Sequence, residues 1–264
     1  MSGTRVSRER LAGLDTEWID ARPAGSASRR RILYLHGGGF VAGGPDTHRA
    51  MASAISRQAD AAVWLPDYSL APEHPHPAAA DECLGAMREL LEQRGVAPEE
   101  LILGGDSAGG FLTLATLINA RDAGLPQPAG AFLLSPLCDA VELDGESYST
   151  QADKDIWFTR QSIDDVLVHY AGPAGQRDPS LNLLARDLSG LAPMRFDVGG
   201  AEVLVSDSER AAARARQAGG EAEAHVWPGM WHVFPAFGLL VPEARRAIRE
   251  IGMFCREKSH GRNG

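Results

Sequence analysis

The stretch Gly105-Asp106-Ser107-Ala108-Gly109 sets a serine among small residues, directly after the apolar run Leu101-Ile102-Leu103 and before the helical pattern of Ala108 to Arg121. A strand that enters a helix through so tight a turn admits only small flanks, and it lifts the central side chain clear of the sheet edge. The chemistry open to such a hydroxyl is nucleophilic attack, and Ser107 is the candidate nucleophile. A plain Gly/Ser turn with Ser107 near a helix N-cap is the alternative. It accounts for the residue types but not for their position between strand and helix.

A serine hydroxyl is a poor nucleophile until a base removes its proton. Of the eight histidines, His232 stands apart, because it follows the strand-like run ending at Trp227 through the loop Pro228-Gly229-Met230-Trp231. His48 and His169 fall on amphipathic helical patterns and read as surface or packing residues. His74 and His76 lie in the Pro-stiffened run Pro72 to Pro77, where no third metal ligand is close. His225 is inside a strand pattern and His260 is in the terminal tail.

The acid that fixes the imidazole tautomer belongs on the loop after the strand Met194 to Val198. Gly199-Gly200-Ala201-Glu202 is that loop, which makes Glu202 the first choice. Asp207 is second, since a carboxylate at a helix start is already explained by the dipole. Asp197 lies within the strand. The chain order serine, acid, histidine is one that strand-turn-helix serine sites use.

Immediately after the strand Ile32 to Leu35 comes His36-Gly37-Gly38-Gly39-Phe40. Consecutive glycines let the backbone approach a carbonyl oxygen with its N–H groups turned inward. Gly38 and Gly39, joined by the N–H of Ala108 at a helix start, form the expected oxyanion hole. A phosphate cradle is excluded in detail: no Lys follows these glycines and no G-x-G-x-x-G follows the first strand.

These four pieces need a scaffold that brings their loops to one edge. Short apolar runs at Ile32–Leu35, Ala62–Leu65, Leu101–Leu103, Ala131–Leu134, Met194–Val198 and Ala222–Trp227 alternate with helical patterns at His48–Ala59, Ala78–Arg94, Ala108–Arg121, Ser206–Ala218 and Pro242–Lys258. Such alternation predicts an α/β fold, a mostly parallel central sheet with helices on both faces. Asp15 to Ile19 reads as an edge strand. Residues 139–180 break the rhythm with a polar, acidic stretch holding one amphipathic piece, Arg160 to Tyr170, and read as a short helical cap inserted into a single domain, 1–264.

The chain has 264 residues, 44% of them hydrophobic and 23% charged, enough for one large core. Its formal net charge is −9, which repels a phosphate backbone, so nucleic acid is not an expected partner. The Arg5/Arg8/Arg10 and Arg29-Arg30-Arg31 clusters read as solvated faces. Three scattered cysteines make neither a disulfide framework nor a metal site. No apolar signal segment opens the chain and no run is long enough to span a membrane, so a cytoplasmic protein without membrane contact is expected.

With these residues in place, the chain resembles the hormone-sensitive lipase-like esterases of the α/β-hydrolase superfamily, the bacterial family IV carboxylesterases. The likeness runs from about Glu17 to Phe254 and rests on HGGGF at His36 to Phe40, DYSLAPEHPHPAA at Asp67 to Ala79, GDSAGG at Gly105 to Gly110, and WPGMWHVF at Trp227 to Phe234. It implies the α/β-hydrolase fold and a serine carboxylic-ester hydrolase acting on short-chain or small-molecule esters. It also implies a triad acid thirty residues before the histidine, which again points to Glu202, although many members read Asp-Pro-Leu where this chain has Glu202-Val203-Leu204. Arg is usual where Ser69 stands. Members carry a helical cap ahead of the HGG motif, which here begins at residue 36. A shorter cap implies a pocket more open to bulky alcohols, or to the partner subunit of a homodimer.

The expected mechanism is two-step acyl transfer by Ser107, His232 and Glu202, with no metal or organic cofactor. Phe40, Trp157, Phe158, Val205, Trp231 and Phe234 are the candidate lining of the substrate pocket, with Trp157-Phe158 in the insertion preferred. Hydrolysis of a lactone, a carbamate or an N- or O-acetyl group of a secondary metabolite is the alternative within enzymes. A catalytically silent ligand-binding module on the same fold is the alternative outside them.

Overall fold

The computed structural model describes residues 3–175, 178–238 and 240–259. The strands are β1 (Arg5–Leu11), β2 (Leu14–Asp20), β3 (Arg31–Leu35), β4 (Ala62–Pro66), β5 (Leu101–Asp106), β6 (Gly130–Leu134), β7 (Met194–Gly199) and β8 (Ala222–Trp227). Between them run α1 (Pro45–Ala59), α2 (Ala78–Glu92), α3 (Ala108–Asp122), the short α4 (Ser147–Thr150), α5 (Arg160–Gly175, interrupted at Gly172), α6 (Val205–Gln217) and α7 (Pro242–Lys258). One sheet carries all eight strands in the order β1-β2-β4-β3-β5-β6-β7-β8. β1, β2 and β4 pair antiparallel, and every neighbour from β4 across to β8 is parallel.

Alternation along the central strands divides the core in two. Leu33, Leu35, Leu101, Leu103, Ala131 and Leu133 face the cluster made with α2, α3 and α6, whereas Ile32, Tyr34, Ile102, Phe132 and Leu134 face the one made with α1 and α7. Helix α3 is buried over nearly its whole circumference, from Ala108 to Ala120, because it packs on the sheet and against α2, with Phe111 edge-on to Tyr170 of α5. A helix apolar all round belongs in such a place.

The expected edge strand at Asp15 to Ile19 exists as part of β2 but is not the edge. β1 lies outside it, with Arg5 opposite Asp20 and Arg10 opposite Asp15. Both pairs are closed by salt bridges. Alternating charge in Arg5-Val6-Ser7-Arg8-Glu9-Arg10 hides β1 in the sequence, because an edge strand exposed to water lacks the apolar run that marks a central one. Among the described residues no helix is long and apolar enough to cross a membrane. His260, and residues 176 and 177 of the insertion, lie outside the described residues.

Candidate active site

Ser107 stands at the C-terminal end of β5 with φ 54° and ψ −120°. A left-handed φ on a non-glycine residue costs roughly 1–3 kcal/mol, so the surroundings must impose it. Its N–H donates to Leu134 O at 2.8 Å, and Phe111 N–H donates back to Ser107 O at 3.1 Å. Gly109 makes the bend fit, since a Cβ there would lie 2.0 Å from Leu35 O. The helix therefore begins against the end of β3, and the N–H of Ala108, its first residue, donates to no group among the described residues.

The end of β3 carries the glycine run. Gly38 has φ 128°, and a Cβ on it would lie 2.0 Å from Ala42 O. The chain folds back there, with Val41 and Ala42 N–H groups donating to Gly38 O. The N–H groups of Gly38 and Gly39, like that of Ala108, have no acceptor among the described residues. Three free donors thus sit on two adjacent backbone segments, which is what stabilising a developing oxyanion requires.

His232 and Glu202 come together on the loops after β8 and β7. His232 Nδ1 is 2.6 Å from Glu202 Oε2, with the imidazole nearly buried and the carboxylate fully so. The other carboxylate oxygen accepts from Ser135 Oγ and from Gly199 N–H, both at 2.6 Å. Ser135 Oγ in turn accepts from Val233 N–H at 3.1 Å, so the end of β6 ties the acid to the histidine loop. Asp207 is elsewhere. It accepts from the N–H groups of Cys138 and Asp139, and burial pushes its pKa up to about 7 despite those two bonds.

Ser107 and Ala108 open onto a cavity of about 410 Å³, part of it open to solvent, whose other walls include Gly39, Phe40, Leu137 and Phe158. Phe158 also sets its ring edge-on to the His232 imidazole, centroids 4.9 Å apart, so the same side chain borders both serine and histidine. Ser107 Oγ and His232 Nε2 each lack a hydrogen bond among the described residues, which leaves the two reactive atoms uncommitted. An array of hydroxyl, imidazole, carboxylate and free N–H groups can run nucleophilic acyl transfer.

Two of the six expected lining residues border the cavity, Phe40 and Phe158. Phe40 is fixed by a face-to-face stack on Tyr170 of α5, centroids 3.8 Å apart. Trp157 does not border it: its side chain turns outward and the residue is 55% exposed. Val205 begins α6, and its neighbour Leu204 takes the wall position instead. Trp231 packs edge-on against Phe237, and Phe234 is buried on Trp227 in a satellite cluster with α7. Both lie on the loop that carries His232, where apolar side chains anchor the loop rather than the substrate.

Sequence reasoning missed Leu137, Ile163, Val166, Leu167 and Leu204 as lining residues. The i, i+3, i+4 spacing of Ile163, Val166 and Leu167 within the Arg160 to Tyr170 piece was the signal available. His76, read as structural, is so: its N–H donates to Tyr170 O at 2.8 Å and its ring meets the Tyr170 hydroxyl at 3.3 Å. Ser69, where Arg was expected, turns its N–H and hydroxyl onto the Glu82 carboxylate at 2.6 and 2.7 Å. His48, read as a surface or packing histidine, instead reaches Asp106 of the elbow.

A family model for the alpha/beta hydrolase fold matches residues 32–236. An acetyl-hydrolase of Streptomyces hygroscopicus is 38% identical over 240 residues, 91% of this chain and 79% of that protein. Among solved structures, an esterase from the bacterial hormone-sensitive lipase family superposes with a TM-score of 0.93 at 39% identity, covering 98% of this chain and 86% of the other. The esterase EstE5, solved after soaking with p-nitrophenyl butyrate, has a TM-score of 0.92, 40% identity and the same coverage. The chain belongs to the α/β-hydrolase fold family, and within it to the hormone-sensitive lipase-like carboxylic-ester hydrolases.

Proposed function

We propose that the chain hydrolyses short-chain or small-molecule carboxylic esters through an acyl-enzyme formed on Ser107. His232 takes the Ser107 proton through Nε2 as Oγ attacks the ester carbonyl, and Glu202 holds Nδ1–H and balances the imidazolium. The oxyanion rests on the N–H groups of Gly38, Gly39 and Ala108, the last reinforced by the start of α3. The imidazolium then protonates the departing alcohol. Water deprotonated by the same histidine attacks the acyl carbonyl and frees Ser107. Substrate binding closes the remaining step between Oγ and Nε2, since catalytic hydrogen bonds commonly tighten only in the complex.

The observation that carries this reading is the 2.6 Å contact of His232 with a fully buried Glu202, bordered by the same Phe158 that walls the serine cavity. Segment 139–180 acts as the cap, because Phe158, Ile163, Val166 and Leu167 form one apolar wall over Ser107. The modest cavity and the acetyl-hydrolase name of the Streptomyces relative favour short acyl groups. The same two facts favour removal of an acetyl group from a larger molecule as a second reading.

Turnover of p-nitrophenyl esters of graded acyl length by the wild type and by Ser107→Ala tests the proposal. Acetate or butyrate turned over fastest, with the variant silent, is the expected result. A Ser107→Ala protein as fast as the wild type removes the nucleophile assignment.

A further inference from the structure

Beneath the glycine run lies a polar knot that the mechanism above does not use. Asp106, the residue before Ser107, is almost wholly buried. Its Oδ1 accepts from the Tyr34 hydroxyl at 2.7 Å and from Gly37 N–H at 3.2 Å. Its Oδ2 lies 3.3 Å from His48 Nε2 on the first turn of α1. Through Gly37, one carboxylate ties the serine elbow to the segment that presents the Gly38 and Gly39 donors.

Both ring nitrogens of His48 face polar groups. Nδ1 is 2.7 Å from the Thr47 hydroxyl and 3.3 Å from Gly44 O, a carbonyl that also accepts from the Thr47 hydroxyl at 2.8 Å. Nε2 is 3.3 Å from Asp106 Oδ2 and 3.3 Å from Gly37 N, whose N–H is shared with Asp106 Oδ1. A neutral imidazole donates from one of these two nitrogens, whereas the imidazolium donates from both, to Asp106 on one side and to the Gly44–Thr47 turn on the other.

We infer that His48 and Asp106 form an ion pair that positions the oxyanion segment against the serine elbow, with His48 as a positioning residue that works in its charged form. The inference rests on the acyl-transfer reading of Ser107. Burial works against a charge on His48, but the hydrogen bond and charge of Asp106 outweigh it and leave the imidazole above its ordinary range. Burial likewise opposes ionised Asp106, and His48 together with Tyr34 holds that carboxyl below its usual value.

The surrounding groups leave this pair alone. His36, with its ring 5.4 Å from that of His48, is pushed down to about 4 by burial and stays neutral. Burial raises the Tyr34 and Tyr68 hydroxyls well above their ordinary values, so they also stay neutral. On α1, Arg49 pairs with Glu17 of β2 and with Asp46. β4 brings no titratable side chain, and Arg245 and Arg249 of α7 border a separate groove with Ala50, Ser53 and Arg57.

When His48 loses its proton, one of its two donors goes, and either Asp106 or the Gly44–Thr47 turn is left short. Gly37 then loosens and the two donors after it lose aim. That loss falls on the transition state more than on the bound substrate, so kcat should fall with little change in KM.

The experiment compares the wild type with His48→Leu and His48→Gln on p-nitrophenyl butyrate across pH. His48→Leu should lose roughly 10-fold or more in kcat, a fraction of what a deleted oxyanion donor costs, with KM nearly constant. His48→Gln keeps an N–H for Asp106 and does not titrate, so it should recover most of kcat and lack the alkaline decline of the wild type. Backbone amide shifts of Gly37, Gly38 and Gly39 should follow one titration in the wild type and stay flat in His48→Gln, a readout that needs neither turnover nor a folded leucine variant. A folded His48→Leu with wild-type kcat, or wild-type amide shifts indifferent to pH, overturns the inference. Absence of turnover by the wild type counts against the acyl-transfer reading instead, and the amide titration still decides this one.

Discussion

Glu202 holds His232 with one oxygen and the scaffold with the other: Oε2 meets Nδ1 at 2.6 Å, while Oε1 takes the Ser135 hydroxyl and the Gly199 N–H. A carboxylate gripped on both sides cannot swing, so the imidazole it holds is fixed in tautomer and in direction. The extra methylene of Glu over Asp spans the distance from the loop after β7.

Glu202→Gln should therefore lower kcat by about 10²- to 10⁴-fold, because an amide facing Nδ1 no longer selects the Nδ1–H tautomer and no longer balances the imidazolium. Asp207→Asn should leave kcat within a few-fold of the wild type, since among the described residues Asp207 bonds to the backbone of Cys138 and Asp139 and not to His232. Steady-state kinetics on a short-chain ester decides between them, and the reverse ranking would move the acid to Asp207.

Ser135→Ala tests the support behind the acid. It removes a donor from Glu202 and leaves the Val233 N–H without an acceptor. A buried polar group left unpaired costs about 1–3 kcal/mol, and the loosened carboxylate should lower kcat by roughly 10-fold. Urea unfolding and kinetics on the same preparation check both parts. Unchanged kcat with lowered stability would make Ser135 a purely structural residue.

The elements that carry the site announce themselves in the sequence for one reason, that they are central. β5 and most of α3 are buried, so their composition is largely apolar, and the small residues between them read as a bend. Glu202 was reachable through topology, as the carboxylate on the loop after the penultimate strand. The pocket was not, because Trp157 and Phe158 are adjacent and alike in chemistry, and only the turn they occupy sends one outward and the other over His232. His48 shows the same limit, since its i, i+3 neighbours say that it lies on a helix but not that the helix start abuts the elbow.

That turn rests on Asp155. Its Oδ1 accepts from the Trp157 and Phe158 N–H groups at 2.8 and 2.9 Å, and its Oδ2 accepts from Val203 N–H, beside the acid, at 2.8 Å. Asp155→Ala should free Phe158 from its place beside His232, raising KM and lowering kcat together. Phe158→Ala should do the same, and Trp157→Ala should leave both constants near the wild type for small esters. A Trp157→Ala effect on kcat/KM as large as that of Phe158→Ala would return Trp157 to the pocket.

Asp207 offers a test by stability rather than rate. Burial raises its pKa to about 7 in the folded protein, against about 3.9 for an unfolded aspartate. The folded state therefore keeps a proton that the unfolded state releases, so the stabilising contribution is complete below about 3.9 and is lost as pH climbs through about 7. Asp207→Asn has no proton to lose and keeps an oxygen for the Cys138 and Asp139 N–H groups. The melting temperature of the wild type should accordingly fall relative to that of Asp207→Asn between pH 5 and pH 8 and run parallel above that window, a course differential scanning calorimetry can follow. A constant gap between the two proteins across the range would mean that Asp207 is ionised throughout, with its two backbone donors outweighing its burial.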